Sequence, residues 1–81
     1  MTVHPTALID ATATLGEGVE VGPWCTVGPN VVLGDNVRLV SHVVVQQDTT
    51  VGAGTIIHPF AVIGGGPTGV EMAGAIAELT R

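Results

Sequence analysis

Eighty-one residues make one small domain with a net charge of −5, in which Arg38 and Arg81 are the positive side chains. That balance excludes a nucleic-acid backbone and an anionic membrane surface as partners, and without tyrosine, with only Trp24 and Phe60 as large aromatics, there is no base-stacking platform. Cys25 is the single cysteine, so no disulfide framework is possible, and three scattered histidines without a second thiol make no metal set.

The opening "MTVHPTALID" has neither a basic start nor an apolar h-region, so no signal peptide is expected. No apolar run reaches the ~20 residues of a membrane span. The lone thiol fits a reducing cytoplasm, which is the expected location. Charged residues are only 11% of the chain, and the abundance of valine reads as a buried β protein.

From Val3 onward the chain repeats every six residues. Val3, Ile9, Leu15, Val21, Val27, Leu33, Leu39, Val45, Val51, Ile57 and Ile63 begin successive rows, and every one is Val, Ile or Leu. The next position is glycine at Gly16, Gly22, Gly28, Gly34, Gly52 and Gly64. The position four after the aliphatic is small or β-branched from Ala7 through Ala61, and only Pro67 breaks it. A helix has a period of 3.6 and a strand a period of 2. Six fits a hexapeptide β-helix, with three rows to a coil.

That geometry predicts a second period of eighteen, and the columns carry it. Pro5, Pro23 and Pro59 share one column with Ser41, while Thr6, Trp24, His42 and Phe60 share another. Glu20 and Arg38 become neighbours one coil apart, about 4.8 Å by strand spacing, and are expected to pair on the surface. The aliphatic row starts and the small column point inward, and glycine supplies backbone freedom at the corners. Eleven rows make under four coils. A stack so short is marginal alone and has open ends, so association of flat sides into an oligomer is expected.

The words "HPTALID", "VGPWCTVGPNVVLGDNVRLVSHVVV" and "IIHPFAVIG" resemble the N-terminal coils of the UDP-N-acetylglucosamine O-acyltransferase family. The resemblance covers residues 3–64. It implies a left-handed parallel β-helix, a homotrimer, and acyl transfer from acyl carrier protein to a sugar hydroxyl in lipid A synthesis. The family's catalytic histidine and acyl groove belong to later coils, so no catalytic residue is assigned. "QQDTT" at 46–50 departs from the family's run, with Asp48 where a histidine is common.

From Ala61 a second resemblance begins. "VIGGGPTGVEMAGAIAEL" resembles the dinucleotide fingerprint of type II NADH dehydrogenases. Gly64, Gly66 and Gly69 form the G-x-G-x-x-G, whose glycines let backbone approach a pyrophosphate at a helix N-terminus. This implies a strand at 61–63 and a helix over 69–80. Thr68 and Glu71 make a capping box. Met72, Ile76 and Leu79 line one apolar stripe, which must pack on the last coil or on a partner chain. The ribose-anchoring acid expected ~20 residues on is missing. Gly64, Gly66, Gly69 and Glu71 are the candidate nucleotide-binding residues, though no cofactor is expected and a small-molecule ligand is disfavoured.

The expected architecture is an all-β solenoid, a short left-handed parallel β-helix over 1–66, followed by one C-terminal α-helix over 67–81. Two families sharing "VIGG" read as a recombinant or designed chimera, or an accidental fusion. Cys25 is expected in the core, and Trp24 between chains. His42 and His58 are expected at the surface or a trimer interface, and His4 in a structural role. The leading function is a catalytically silent, homotrimeric structural module. The alternatives are a fragment of the acyltransferase and a weak phosphate or dinucleotide binder through Gly64–Gly69.

Overall fold

The computed structural model describes residues 1–64 and the backbone of residues 70–72, and these form a parallel β-solenoid. The first coil contains β1 (Thr2–Val3), β2 (Leu8–Ile9) and β3 (Thr14–Leu15). The second contains β4 (Glu20–Val21), β5 (Thr26–Val27) and β6 (Val32–Leu33). The third contains β7 (Arg38–Leu39), β8 (Val44–Val45) and β9 (Thr49–Val51). A further coil begins with β10 (Ile56–Ile57), β11 (Val62–Ile63) and β12 (Val70–Met72).

Each row contributes one short strand, and the strands stack into three flat sides. The first side is β1-β4-β7-β10, the second β2-β5-β8-β11 and the third β3-β6-β9-β12. All pairings are parallel, and the register is the eighteen-residue step: Val3 opposes Val21, Val21 opposes Leu39, and Leu39 opposes Ile57. Side chains alternate across a strand. The row-opening aliphatic therefore points in and the residue before it points out.

Both inward columns form one core. Leu33, Leu39 and Ile57 are its largest fully buried side chains, packed with the valines of the small column such as Val19, Val31 and Val37. Cys25 is buried among them, as its column requires. Thr49 and Thr55 occupy the same inward column and satisfy their hydroxyls locally, donating to the carbonyls of Gln47 at 3.1 Å and Gly52 at 2.8 Å. The first coil is the open end: β1, β2 and β3 are all edge strands, and Val3 is 38% exposed although it heads an inward column.

The corners differ from the expectation in one respect. Left-handed backbone falls mainly at the fourth position of the row, and in the main glycine column only at Gly64, among the described residues. Trp24, Asn30, Asn36, His42, Asp48 and Phe60 have φ between 51° and 69°, and Gly18 and Gly54 join them. Glycine in the second position answers to crowding. A Cβ on Gly22 would collide with the carbonyl oxygen of Val40 in the next coil.

Residues 70–72 correct the predicted C-terminal helix at its start. They form a strand on the third side, with Val70 opposite Thr49, Glu71 opposite Thr50 and Met72 opposite Val51. The step from Val51 to Met72 is 21 residues, three more than every other coil step. Good helix formers lose here because a dozen residues make a marginal helix alone, whereas the free edge of β9 offers a ready hydrogen-bond ladder. The remainder of the predicted helix, residues 73–81, lies outside the described residues.

Candidate functional site

The glycine fingerprint is not assembled as a nucleotide site within the described residues. Gly64 follows β11, as the motif's entry strand requires, with φ +82°. The coil itself accounts for that glycine: a Cβ there would run into the Thr49 side chain. Gly66 and Gly69 lie outside the described residues. Glu71 sits in β12 opposite Thr50, on a strand where the fingerprint needs a helix N-terminus.

The histidines are spread over the first corner, between the first and second sides. His4 Nδ1 accepts from the Thr6 amide at 3.2 Å and lies 2.8 Å from the Thr6 hydroxyl. His42 stacks on Phe60, with ring centroids 5.2 Å apart and planes 27° apart. His58 is exposed. None of the three bonds to a carboxylate among the described residues, so the base–orienter pair of a general-base site is not formed there. Among the described residues no three His, Cys, Asp or Glu side chains converge as a metal site would need.

The ionisable groups with clear environments are structural. Two hydrogen bonds from Thr12, from its amide at 2.9 Å and its hydroxyl at 2.7 Å, hold the Asp10 carboxyl below the usual carboxylate range. Burial pushes the Cys25 thiol up, so it stays protonated and is a poor nucleophile. Glu20 and Arg38 form the expected surface pair, Oε1 to Nε 3.6 Å. They border a shallow groove of about 290 Å³ on the first side, with Thr2 and His4 at its other end.

One column remains unexplained by coil geometry. Trp24, His42 and Phe60 hold bulky rings on left-handed backbone, a conformation that costs a non-glycine residue about 1–2 kcal/mol. The other two corners place Asn30, Asp48, Asn36, Gly18 and Gly54 in the equivalent seats, where the penalty is smallest. The rings project outward: Trp24 is 60% exposed and Phe60 80%. Next to them the second side shows Leu8 and Val62 to solvent. The residue types at the fourth position held the signal for the corners, since Asn, Asp and Gly recur there.

Comparison with known proteins agrees with the coil. The family model for the bacterial transferase hexapeptide (six repeats) matches residues 1–35 and 12–47. Acyl-[acyl-carrier-protein]–UDP-N-acetylglucosamine O-acyltransferases of Brucella ovis and Brucella canis are each 44% identical over 75 residues, covering 82% of this chain and 27% of the relative. The crystal structure of UDP-N-acetylglucosamine O-acyltransferase from Moraxella catarrhalis RH4 superposes with a TM-score of 0.84 at 36% identity, over 90% of this chain and 32% of that chain. The chain thus spans about a quarter of the length of the curated relatives it matches. With its six-residue rows, its three parallel sides and this match, the chain belongs to the bacterial transferase hexapeptide family.

Proposed function

We propose that this chain is the scaffold formed by the N-terminal coils of an acyl-[acyl-carrier-protein]–UDP-N-acetylglucosamine O-acyltransferase. The observation that carries the reading is the combination of 44% identity to the Brucella enzymes with a TM-score of 0.84 to the Moraxella catarrhalis enzyme. Abstracting a proton from a sugar hydroxyl needs a positioned base. The described histidines have no carboxylate partner, and so the coils here supply architecture and the chemistry belongs to the further length that the relatives possess. The resemblance of the words "HPTALID" and "SHVVV" supports a left-handed coil and a homotrimer, and the single thiol, Cys25, fits a reducing cytoplasm.

Residues 61–79 keep a separate origin in this reading, as a Rossmann-type segment joined to the scaffold, and it rests on the words "VIGGGPTGVEMAGAIAEL" alone. The test is acyl transfer by the chain itself, with an acyl-[acyl-carrier-protein] and UDP-N-acetylglucosamine at micromolar protein. No product above the protein-free control is expected. Turnover would overturn the scaffold reading, because it would require a working base within these residues.

A further inference from the structure

The first side carries a groove that the scaffold reading does not use. The neighbours of an inward residue point outward, so this side shows two columns. One is Thr2, Glu20 and Arg38, and the other is His4, Gly22 and Val40, each climbing one rung per coil. Gly22 leaves its rung without a side chain. A notch opens there between His4 and Val40, which stand two rungs, or about 9.6 Å, apart. With Pro5 these residues line the groove of about 290 Å³. The backbone of its floor is already paired: the amides of His4 and Gly22 donate to the carbonyls of Val21 at 2.9 Å and Leu39 at 2.8 Å. Recognition in the groove therefore falls to side chains.

Two charges border the notch, and neither consumes the other. Arg38 Nε stands 3.6 Å from Glu20 Oε1, longer than a hydrogen bond, and both side chains are more than half exposed. Among the described residues Arg38 is the only Lys or Arg, and its guanidinium has no other partner. Its terminal nitrogens form a fork that fits a carboxylate. Beside it, the second oxygen of Glu20 remains an acceptor for an ammonium. A lone anion here meets Glu20 and the net charge of −5, and a lone cation meets Arg38. A ligand with both charges on one carbon lays its dipole antiparallel to the pair and carries no net charge to be repelled. We propose that the groove binds a free α-amino acid as its zwitterion, with the carboxylate on Arg38, the ammonium on Glu20 and an apolar side chain over Gly22. Walls about 9.6 Å apart admit one aliphatic layer in contact with each at about 4 Å. His4 is a fixed wall, because its Nδ1 accepts from the Thr6 amide at 3.2 Å and the neutral ring carries its proton on Nε2. The sequence disfavours a small-molecule ligand, and the bare rung and the loose pair emerge only from the structure.

The probe is L-leucine, titrated into the whole chain while amide signals are followed by nuclear magnetic resonance. The amides of Glu20, Gly22, Arg38 and Val40 are expected to shift together and to saturate in the millimolar range, since exposed charge pairs each contribute little. Isocaproate keeps the carboxylate and side chain of leucine without the ammonium, and isoamylamine keeps the ammonium without the carboxylate. Both should bind severalfold more weakly than leucine, a comparison that needs no variant. Arg38→Gln and Glu20→Gln alter exposed side chains, so each should keep the dispersed amide spectrum of the coil and lose most of the affinity. Isocaproate binding as well as leucine would reduce the groove to an anion contact at Arg38 and overturn the proposal. So would shifts confined to other residues, folded variants that bind like wild type, or no saturable shift at all. Each of these results leaves the scaffold reading standing, because that reading does not use the groove.

Discussion

The amide of Trp24 donates to the hydroxyl of Thr6, 3.0 Å away and one coil earlier. At the next corner the amide of Asn30 donates to the hydroxyl of Thr12 at 2.9 Å. Later coils make this link with a backbone carbonyl, as where His42 donates to Pro23 and Asp48 to Pro29, both at 3.0 Å. Thr6 and Thr12 are not in the left-handed conformation of their columns. Their hydroxyls therefore replace an acceptor that the first coil's backbone does not present. Thr12→Val keeps the β-branch and removes this acceptor together with a donor to Asp10. It should destabilise the fold by about 0.5–1.5 kcal/mol in urea unfolding. A change below the error of the measurement would mean that water replaces the hydroxyl without loss.

Gly22→Ala tests the crowding between coils. Its Cβ would meet the carbonyl of Val40, a backbone atom of the next coil that has little room to move. A loss of about 1–3 kcal/mol is expected, as for overpacked interiors. Thermal unfolding against wild type checks it.

Thr55→Val should have the opposite character. The column above it holds Val19 and Val37, both fully buried, so the replacement repeats what the coil already accepts. The Thr55 hydroxyl bonds only to the carbonyl of Gly52 in its own turn. Stability within about 1 kcal/mol of wild type is expected, because a lost local hydrogen bond is offset by apolar burial. A larger loss would show that the hydroxyl fixes the third corner.

Stability should decline at both ends of the pH scale, for different reasons. The Asp10 carboxyl is held below its ordinary range by the Thr12 amide and hydroxyl. Its folded form favours the carboxylate, so this contribution is present above the ordinary carboxylate range and is lost as pH falls through the depressed value. The Cys25 thiol is held above its ordinary range by burial. Its folded form favours the protonated thiol, so stability is complete below the ordinary thiol range and falls as pH rises beyond it. Chemical unfolding across pH should show both slopes, with Asp10→Asn flattening the acid one and Cys25→Ala the alkaline one. Slopes unchanged by these substitutions would assign the dependence to other groups.

Much of the fold was legible because each row writes its own instructions. Val21, Leu39 and Ile57 could be placed in one inward column by counting, and Glu20 beside Arg38 by the same step, since an in-register coil turns sequence spacing directly into spatial neighbours. The strained ridge was less legible. Its column was visible, but the left-handed backbone of Trp24, His42 and Phe60 runs against residue preference, so only the equivalence with Asn30 and Asn36 reveals it. Residues 70–72 were misread for a different reason. Val70, Glu71 and Met72 suit a helix locally, and the free edge of β9 outweighs that local preference. The glycine motif was ambiguous by nature: Gly64 serves a tight coil and a phosphate loop equally well, and its seat against Thr49 favours the coil.

The scaffold reading is tested most directly by the acyl-transfer rate of a hybrid enzyme. Residues 1–64 of this chain would replace the corresponding coils of the Moraxella catarrhalis acyltransferase, to which the chain superposes with a TM-score of 0.84. Interchangeable coils should leave a folded hybrid that transfers acyl groups to UDP-N-acetylglucosamine within about tenfold of the parent rate, a barrier change of roughly 1.4 kcal/mol. A folded hybrid with no transfer would contradict the account, because it would show that these coils are not that enzyme's scaffold.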